Sequence, residues 1–190
     1  MELQHLNVKL FAERPAGVER ELFTPIFHSW IQDQVCEELL IDVADYLHVP
    51  AGPGIVLVGY EADYSMDETG QRLGLRYNRK KPLPGDNRAK LSQALRAALI
   101  AARRLEGDTR LAGNLRFNRR ELELFVNDRA IAPNTPATWS ALRGELENFF
   151  SNTFGTGTFE LRPQPDPRER FGVTVNSKSE LDFEALSKTL

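Results

Sequence analysis

Charge in this chain is sorted along its length, and a fold must either bring the sorted stretches together or offer them to a partner. Residues 1–71 carry three Lys/Arg against thirteen Asp/Glu, residues 72–120 carry fourteen against three, and residues 121–190 carry seven against eleven. These are blocks of −10, +11 and −4 within a net charge of −3. A basic middle of this kind either binds something anionic or faces the chain's own acidic thirds.

The 190 residues, 41% hydrophobic and 27% charged, suit a single elaborated domain over 1–190 with a core of its own. Within it, 1–71 reads as an acidic strand–helix–hairpin portion and 72–162 as a basic-to-mixed portion. The lone Cys36 forms no internal disulfide and points to a reducing compartment. The N-terminus has neither a basic n-region nor an apolar run after it, and no stretch nears the ~20 apolar residues that span a bilayer. The expectation is a soluble, cytoplasmic protein without membrane association.

Leu6–Ala12 alternates Leu6, Val8 and Leu10 with Asn7 and Lys9, the pattern of a half-buried strand. Thr24-Pro25 reads as N-cap and first helical position of a helix near 25–35. The run Leu39–Tyr46 reads as a strand buried on both faces, and a loop at Leu47–Pro53 joins it to a strand at Ile55–Glu61. Asp63–Gly70 reads as a polar, turn-like stretch before a strand at Arg72–Arg79. Asp86 or Asn87 caps the longest helix, about 87–106, whose Leu91, Leu95, Ala98, Ala102 and Leu105 form an apolar seam. Gly113–Asp128 reads as a hairpin turning tightly at Asn118–Arg120. Thr135-Pro136 opens a second amphipathic helix to about 150, Thr158–Arg162 and Phe171–Val175 are the last strands, and a helix start falls near Ser179 and Asp182.

This order predicts an α+β fold, a mainly antiparallel sheet with two or three amphipathic helices packed on one face. Residues 72–162 then follow the ferredoxin-like βαββαβ order, or the chain from 54 onward repeats ββα units. The echo of Leu75-Arg76-Tyr77-Asn78-Arg79 in Leu115-Arg116-Phe117-Asn118-Arg119 speaks for the repeat.

Two groups of residues carry candidate chemistry. Arg76, Arg79, Lys80 and Lys81 on a strand and its exit, Arg88 at a helix start, and Arg116, Arg119 and Arg120 around the expected hairpin tip form a candidate anion site, since helix N-termini favour anions. Asp42, Asp45, His48, Glu61 and Asp63 would suit a divalent metal or a general acid–base pair if they converged, and they are the catalytic candidates of a metal-dependent hydrolase. Asp42 interrupts an apolar run, and its plainer role is a salt bridge to an arginine of the basic block.

Tyr77 and Phe117 fall with Leu75 and Leu115 on the apolar side, and the pI of 5.7 also speaks against a nucleic-acid partner. No cofactor motif is present, and no metal is specified. The first expectation is therefore a non-enzymatic interaction or assembly protein, possibly self-associating, that uses its acidic and basic surfaces on itself or on an acidic partner. The alternatives are an anion or small-molecule binding domain and the hydrolase.

Overall fold

The computed structural model describes residues 1–14 and 17–190. Strand β1 (Leu6–Ala12) forms where the alternation predicts, with Leu6, Val8 and Leu10 in the core, but Asn7 and Lys9 on its other face are buried too. The cause is position. β1 runs between β5 (Gly74–Arg79) and β6 (Phe117–Val126), antiparallel to both, in the middle of an eight-stranded sheet. The sheet order is β2-β3-β4-β5-β1-β6-β8-β7, all neighbours antiparallel. Here β2 is Leu40–Tyr46, β3 Gly54–Gly59, β4 Ala62–Asp67, β7 Phe159–Pro163 and β8 Gly172–Ser177.

Register aligns most apolar side chains of the central strands on one face. Leu10 lies opposite Leu75 and Leu122, and Val8 opposite Tyr77 and Leu124. On that face pack α1 (Phe23–Asp33) against β2 and β3, α2 (Asn87–Glu106) against β1 and β5, and α3 (Pro136–Phe154) against β7, while α4 (Phe183–Thr189) leans on α2. The α2 seam is buried as expected, and Asp86 caps its start by accepting the Ala89 N–H at 2.8 Å. Thr135 does the same for α3 from the Thr138 N–H. The α+β class, with helices on one face of an antiparallel sheet, is therefore the fold. Among the described residues no helix is long and apolar enough to cross a membrane.

Several elements differ from the sequence reading, each for a local reason. β2 is an edge strand, not a strand buried on both faces. A bulge between Leu40 and Asp42 turns Ile41 outward to 54% exposure. The turn-like stretch Asp63–Gly70 is mostly β4, in which Ala62, Tyr64 and Met66 face the core while Asp63 and Asp67 face away and are neutralised by bases. The expected hairpin at 113–128 is one ten-residue strand, β6. Its turn signal is real but local: Asn118 Oδ1 accepts the N–H groups of Arg120 and Glu121, and the register against β1 jumps from Leu10↔Leu122 to Ala12↔Phe117. α1 starts at Phe23 behind a 3-10 turn, with Thr24-Pro25 inside its first turn and no side-chain cap.

Losing that hairpin removes a strand from both detailed topologies. Residues 72–162 run β5-α2-β6-α3-β7, not βαββαβ, and repeated ββα units lack a second strand at β6. β5 and β6 are parallel to each other, with β1 inserted between them and α2 as the crossover.

Gly54, at φ +64°, closes the β2–β3 loop where an added Cβ would lie 2.0 Å from the Met66 carbonyl oxygen. Backbone cannot yield there as a side chain would. Gly54→Ala is expected to cost about 2 kcal/mol or more, read as a lowered denaturant midpoint at unchanged m-value.

Candidate functional site

The candidate anion residues do not meet. Arg88 stands exposed at the start of α2, whereas Arg119 pairs with Glu106, the last residue of α2, and stacks 3.8 Å over the Phe183 ring. The 20 residues of α2 set these ends about 30 Å apart. Arg120 donates to the Lys178 carbonyl, and Arg116 is exposed on the approach to β6. Arg79 donates to the Lys81 carbonyl, Lys80 pairs with Asp63 at 2.7 Å, and the Lys81 ammonium lies 4.9 Å over the Tyr60 ring. Arg76 lines a charged cleft on the helix-free face of the sheet, while Arg88 and Arg116 line separate depressions elsewhere.

The acidic group is dispersed as well. Asp42 and Asp45, three apart on a strand, point to opposite faces of β2, and each accepts a backbone N–H nearby, from Val43 and Leu47. His48 lies exposed beyond them, against Tyr46, and Glu61 accepts the Leu39 N–H. Among the described residues no group of three or more His, Cys, Asp or Glu is placed to hold a metal ion. The role of buried acid paired to the basic block falls to Asp67, not to Asp42, which is exposed.

Asp67 belongs to a cleft of about 320 Å³ on the helix-free face of the sheet. Its floor contains Arg76, Lys9 and Glu123, neighbours in one cross-strand row on β5, β1 and β6. Its walls are the β4–β5 connection around Thr69–Arg72 and the β7–β8 connection around Gln164–Arg170. Asn134 Nδ2 ties the latter down by donating to the Gln164 and Asp166 carbonyls.

Most charge in the cleft is spent internally. Lys9, 3% exposed, donates to Asp67 at 2.6 Å and to the Thr69 carbonyl, and Asp67, fully buried, also accepts from Arg76 at 3.1 Å and from the Thr69 N–H and hydroxyl. Lys9 reaches Asp67 across Gly74, where a Cβ would crowd Lys9 Cε at 3.2 Å and the Leu10 carbonyl at 2.5 Å. Burial pulls the Lys9 ammonium below its ordinary range, against the opposing pull of Asp67. Arg72 makes a two-bond pair with Glu121, which holds Glu121 low and Arg72 high, and its guanidinium stacks 3.6 Å over Phe11.

Glu169 is exposed at the edge of the cleft beside Arg170, and two less exposed groups are left over. Glu123 makes no hydrogen bond or ion pair among the described residues, and burial raises its carboxyl above the usual range although Lys9, Arg72 and Arg170 oppose the shift. Arg170 has one 3.3 Å hydrogen bond, to Asn127, and stacks 4.4 Å over Phe125 with Arg76 also near that ring. Burial lowers the Arg170 guanidinium, and Arg76 adds to the shift. A cation and an anion with unused capacity thus flank one aromatic ring.

Lys9, Glu123 and Arg170 were not singled out by sequence, and Asp67 stood out only as an acid of the polar stretch Asp63–Gly70. Lys9 and Glu123 sit at the polar positions of alternating strands, and only a central place in the sheet makes those positions interior. Two adjacent charges of opposite sign flanking Phe125 in the register leave no local signal. No known protein family, no curated protein and no solved structure matches this chain.

Removing Asp67 strands a buried ammonium, whereas removing Asp42 strands nothing. Asp67→Ala is expected to cost about 3–5 kcal/mol in chemical denaturation, and Asp42→Ala to stay within about 0.5 kcal/mol. Equal effects would place the structural acid elsewhere.

Proposed function

We propose that this chain is a ligand-binding protein whose open-face cleft takes a small amphoteric molecule. The ligand's anionic group is met by Arg170, its ammonium or other donor by Glu123, and its body lies over Phe125. The observation that carries this reading is the uneven pairing of the cleft: Asp67 pairs with Lys9 and Arg76, and Arg72 with Glu121, while among the described residues Glu123 has no hydrogen-bond or ion-pair partner and Arg170 has one long hydrogen bond. Buried charge without compensation is costly, and a ligand of complementary charge relieves it on binding.

The test is isothermal titration with free α-amino acids, beside simple carboxylates and simple amines of similar size. At least one amphoteric compound is expected to bind about tenfold or more tightly than its one-charge analogues, with the advantage lost in both Arg170→Gln and Glu123→Gln. Simple anions binding the wild type as well as the amphoteric set would reduce the cleft to an anion site and sink the pairing described here.

Glu123 also fixes a pH signature for the free protein. Its carboxyl is raised in the folded state, so over the window from the ordinary carboxylate range up to the raised value the folded chain holds more protons than the unfolded one, and stability falls as pH rises. Glu123→Gln should therefore stabilise the ligand-free protein at pH 7 by on the order of 0.5–2 kcal/mol. The gain should shrink towards zero as pH falls to about 4, where both states carry the proton. Denaturant titrations at the two pH values check the sign.

Assembly is the second reading, and one observation favours it. Leu39, Ile41, Tyr46, Val49 and Tyr60 are exposed on or beside the edge strand β2. An apolar edge of this kind pairs with another strand unless it is blunted, and here the Val43 N–H is already taken by Asp42. Edge pairing between two copies predicts a dimer that persists at high salt and is split by Ile41→Lys. A mass in solution that is monomeric at all ionic strengths removes this reading.

A further inference from the structure

The opposite face of the same sheet holds a second cavity, about 270 Å³, between α1, the segment before β2, and α2. Its walls are apolar: Trp30, Val35, Ala97, Ile100 and Ala101. Its floor is Glu38, 7% exposed, whose charge is met by neutral donors only. Tyr64 donates to Oε2 at 2.8 Å, Tyr77 to Oε1 at 2.9 Å, and Gln93 to Oε1 at 3.3 Å. No ion pair reaches Glu38 among the described residues; the cations at the mouth are engaged otherwise, Arg96 with Glu37 at 2.9 Å and Arg104 at 6.0 Å over Trp30.

The surrounding groups show how dry this floor is. Burial and the nearby Glu38 push the Cys36 thiol up to about 12 and raise both tyrosine hydroxyls, so all three stay protonated at neutral pH. Cys36 is a neutral wall there, not a nucleophile. A buried carboxylate with hydrogen-bond donors but no cation keeps its net charge, and Oε2 has one donor where a carboxylate oxygen accepts about two. The rings of Trp30 and Tyr64, 6.4 Å apart and edge to face, stand beside it. A carboxylate next to aromatic rings is the pairing that recognises an organic cation.

We infer that this cavity is a binding site for a primary ammonium carried on a short apolar body, the ammonium on Glu38 Oε2 and the body against Ile100 and Ala97. The site is separate from the open-face cleft and does not depend on it. The apolar walls favour a ligand with an apolar body, and the specificity comes from the carboxylate at the base.

Trp30 lies in the wall and reports directly. In a Trp139→Phe background, which leaves Trp30 as the single tryptophan, tryptophan emission is followed during titration with 2-phenylethylammonium, 2-phenylethanol and 3-phenylpropionate at pH 7. The ammonium is expected to give a saturable change and to bind about tenfold or more tightly than the alcohol or the acid, a difference of ~1.4 kcal/mol. Glu38→Gln should bring the ammonium and the alcohol to within about threefold of each other. Ala97→Phe, which fills the cavity and keeps Glu38 and its two tyrosine donors, should abolish the change, and it carries the test if Glu38→Gln does not fold. Three results overturn the proposal: no saturable change with the ammonium, preference for the acid through Arg96 or Arg104, or a response that survives Ala97→Phe.

Discussion

The ion pair between Lys9 and Asp67 is the constraint to which the open face of this sheet is built. β1 is central, so the polar side of its alternation is interior, and Lys9 brings an ammonium to a place that water barely reaches. The charge has to be answered across the sheet. Asp67 ends β4, two strands away, and the intervening β5 offers Gly74 at the crossing point, where any side chain would block the path. Thr69 completes the shell with its carbonyl towards Lys9 and its N–H and hydroxyl towards Asp67, which folds the β4–β5 connection over the strand ends. That connection is one wall of the cleft. A pair this deep contributes little net stability compared with apolar residues of the same volume, yet it is expensive to break. What it supplies is a fixed geometry.

The sorted charge of the sequence finds its explanation in the same region. The acidic block ends and the basic block begins at the β4–β5 connection, so two adjacent antiparallel strands carry opposite signs: Asp67 meets Arg76 and Asp63 meets Lys80. Farther out, Glu37 meets Arg96 and Glu2 meets Lys90. At these positions the acidic third of the chain faces the basic middle within one molecule. Arg88 and Arg116 remain at the surface, separated by the length of α2.

Legibility follows the range of the interaction that decides each feature. α2, α3 and β1 were readable because period and cap are written within a few residues: the 4-3-4-3 seam with Asp86, Thr135-Pro136, and Leu6, Val8 and Leu10. β4 was hidden because Asp63 and Asp67 look like loop residues until the bases opposite them are known. At Asn118 a true turn signal produced a bulge, since pairing on both sides of β6 holds the strand straight where an isolated segment would reverse. β2 was misplaced because an apolar run says that a segment avoids water, not which neighbour will cover it. The site was less legible still. Its basic and acidic residues stood out only as members of charged stretches, because Lys9 and Glu123 become neighbours only through a register that joins residues more than a hundred positions apart.

The two cavities share strands and differ in how they treat a carboxylate, and that difference separates scaffold from site. Asp67 is fully engaged, by two cations and by the N–H and hydroxyl of Thr69. Glu123 and Glu38 are not. Among the described residues the first has no donor, and the second is held by three neutral donors and no cation. In a low-dielectric setting such a charge reaches farther than in water, and a fold needing only a filled position would place glutamine there at lower cost. On both faces of the sheet a carboxylate without an ion-pair partner among the described residues lies beside an aromatic ring and a cavity, and both proposed sites rest on that shared arrangement.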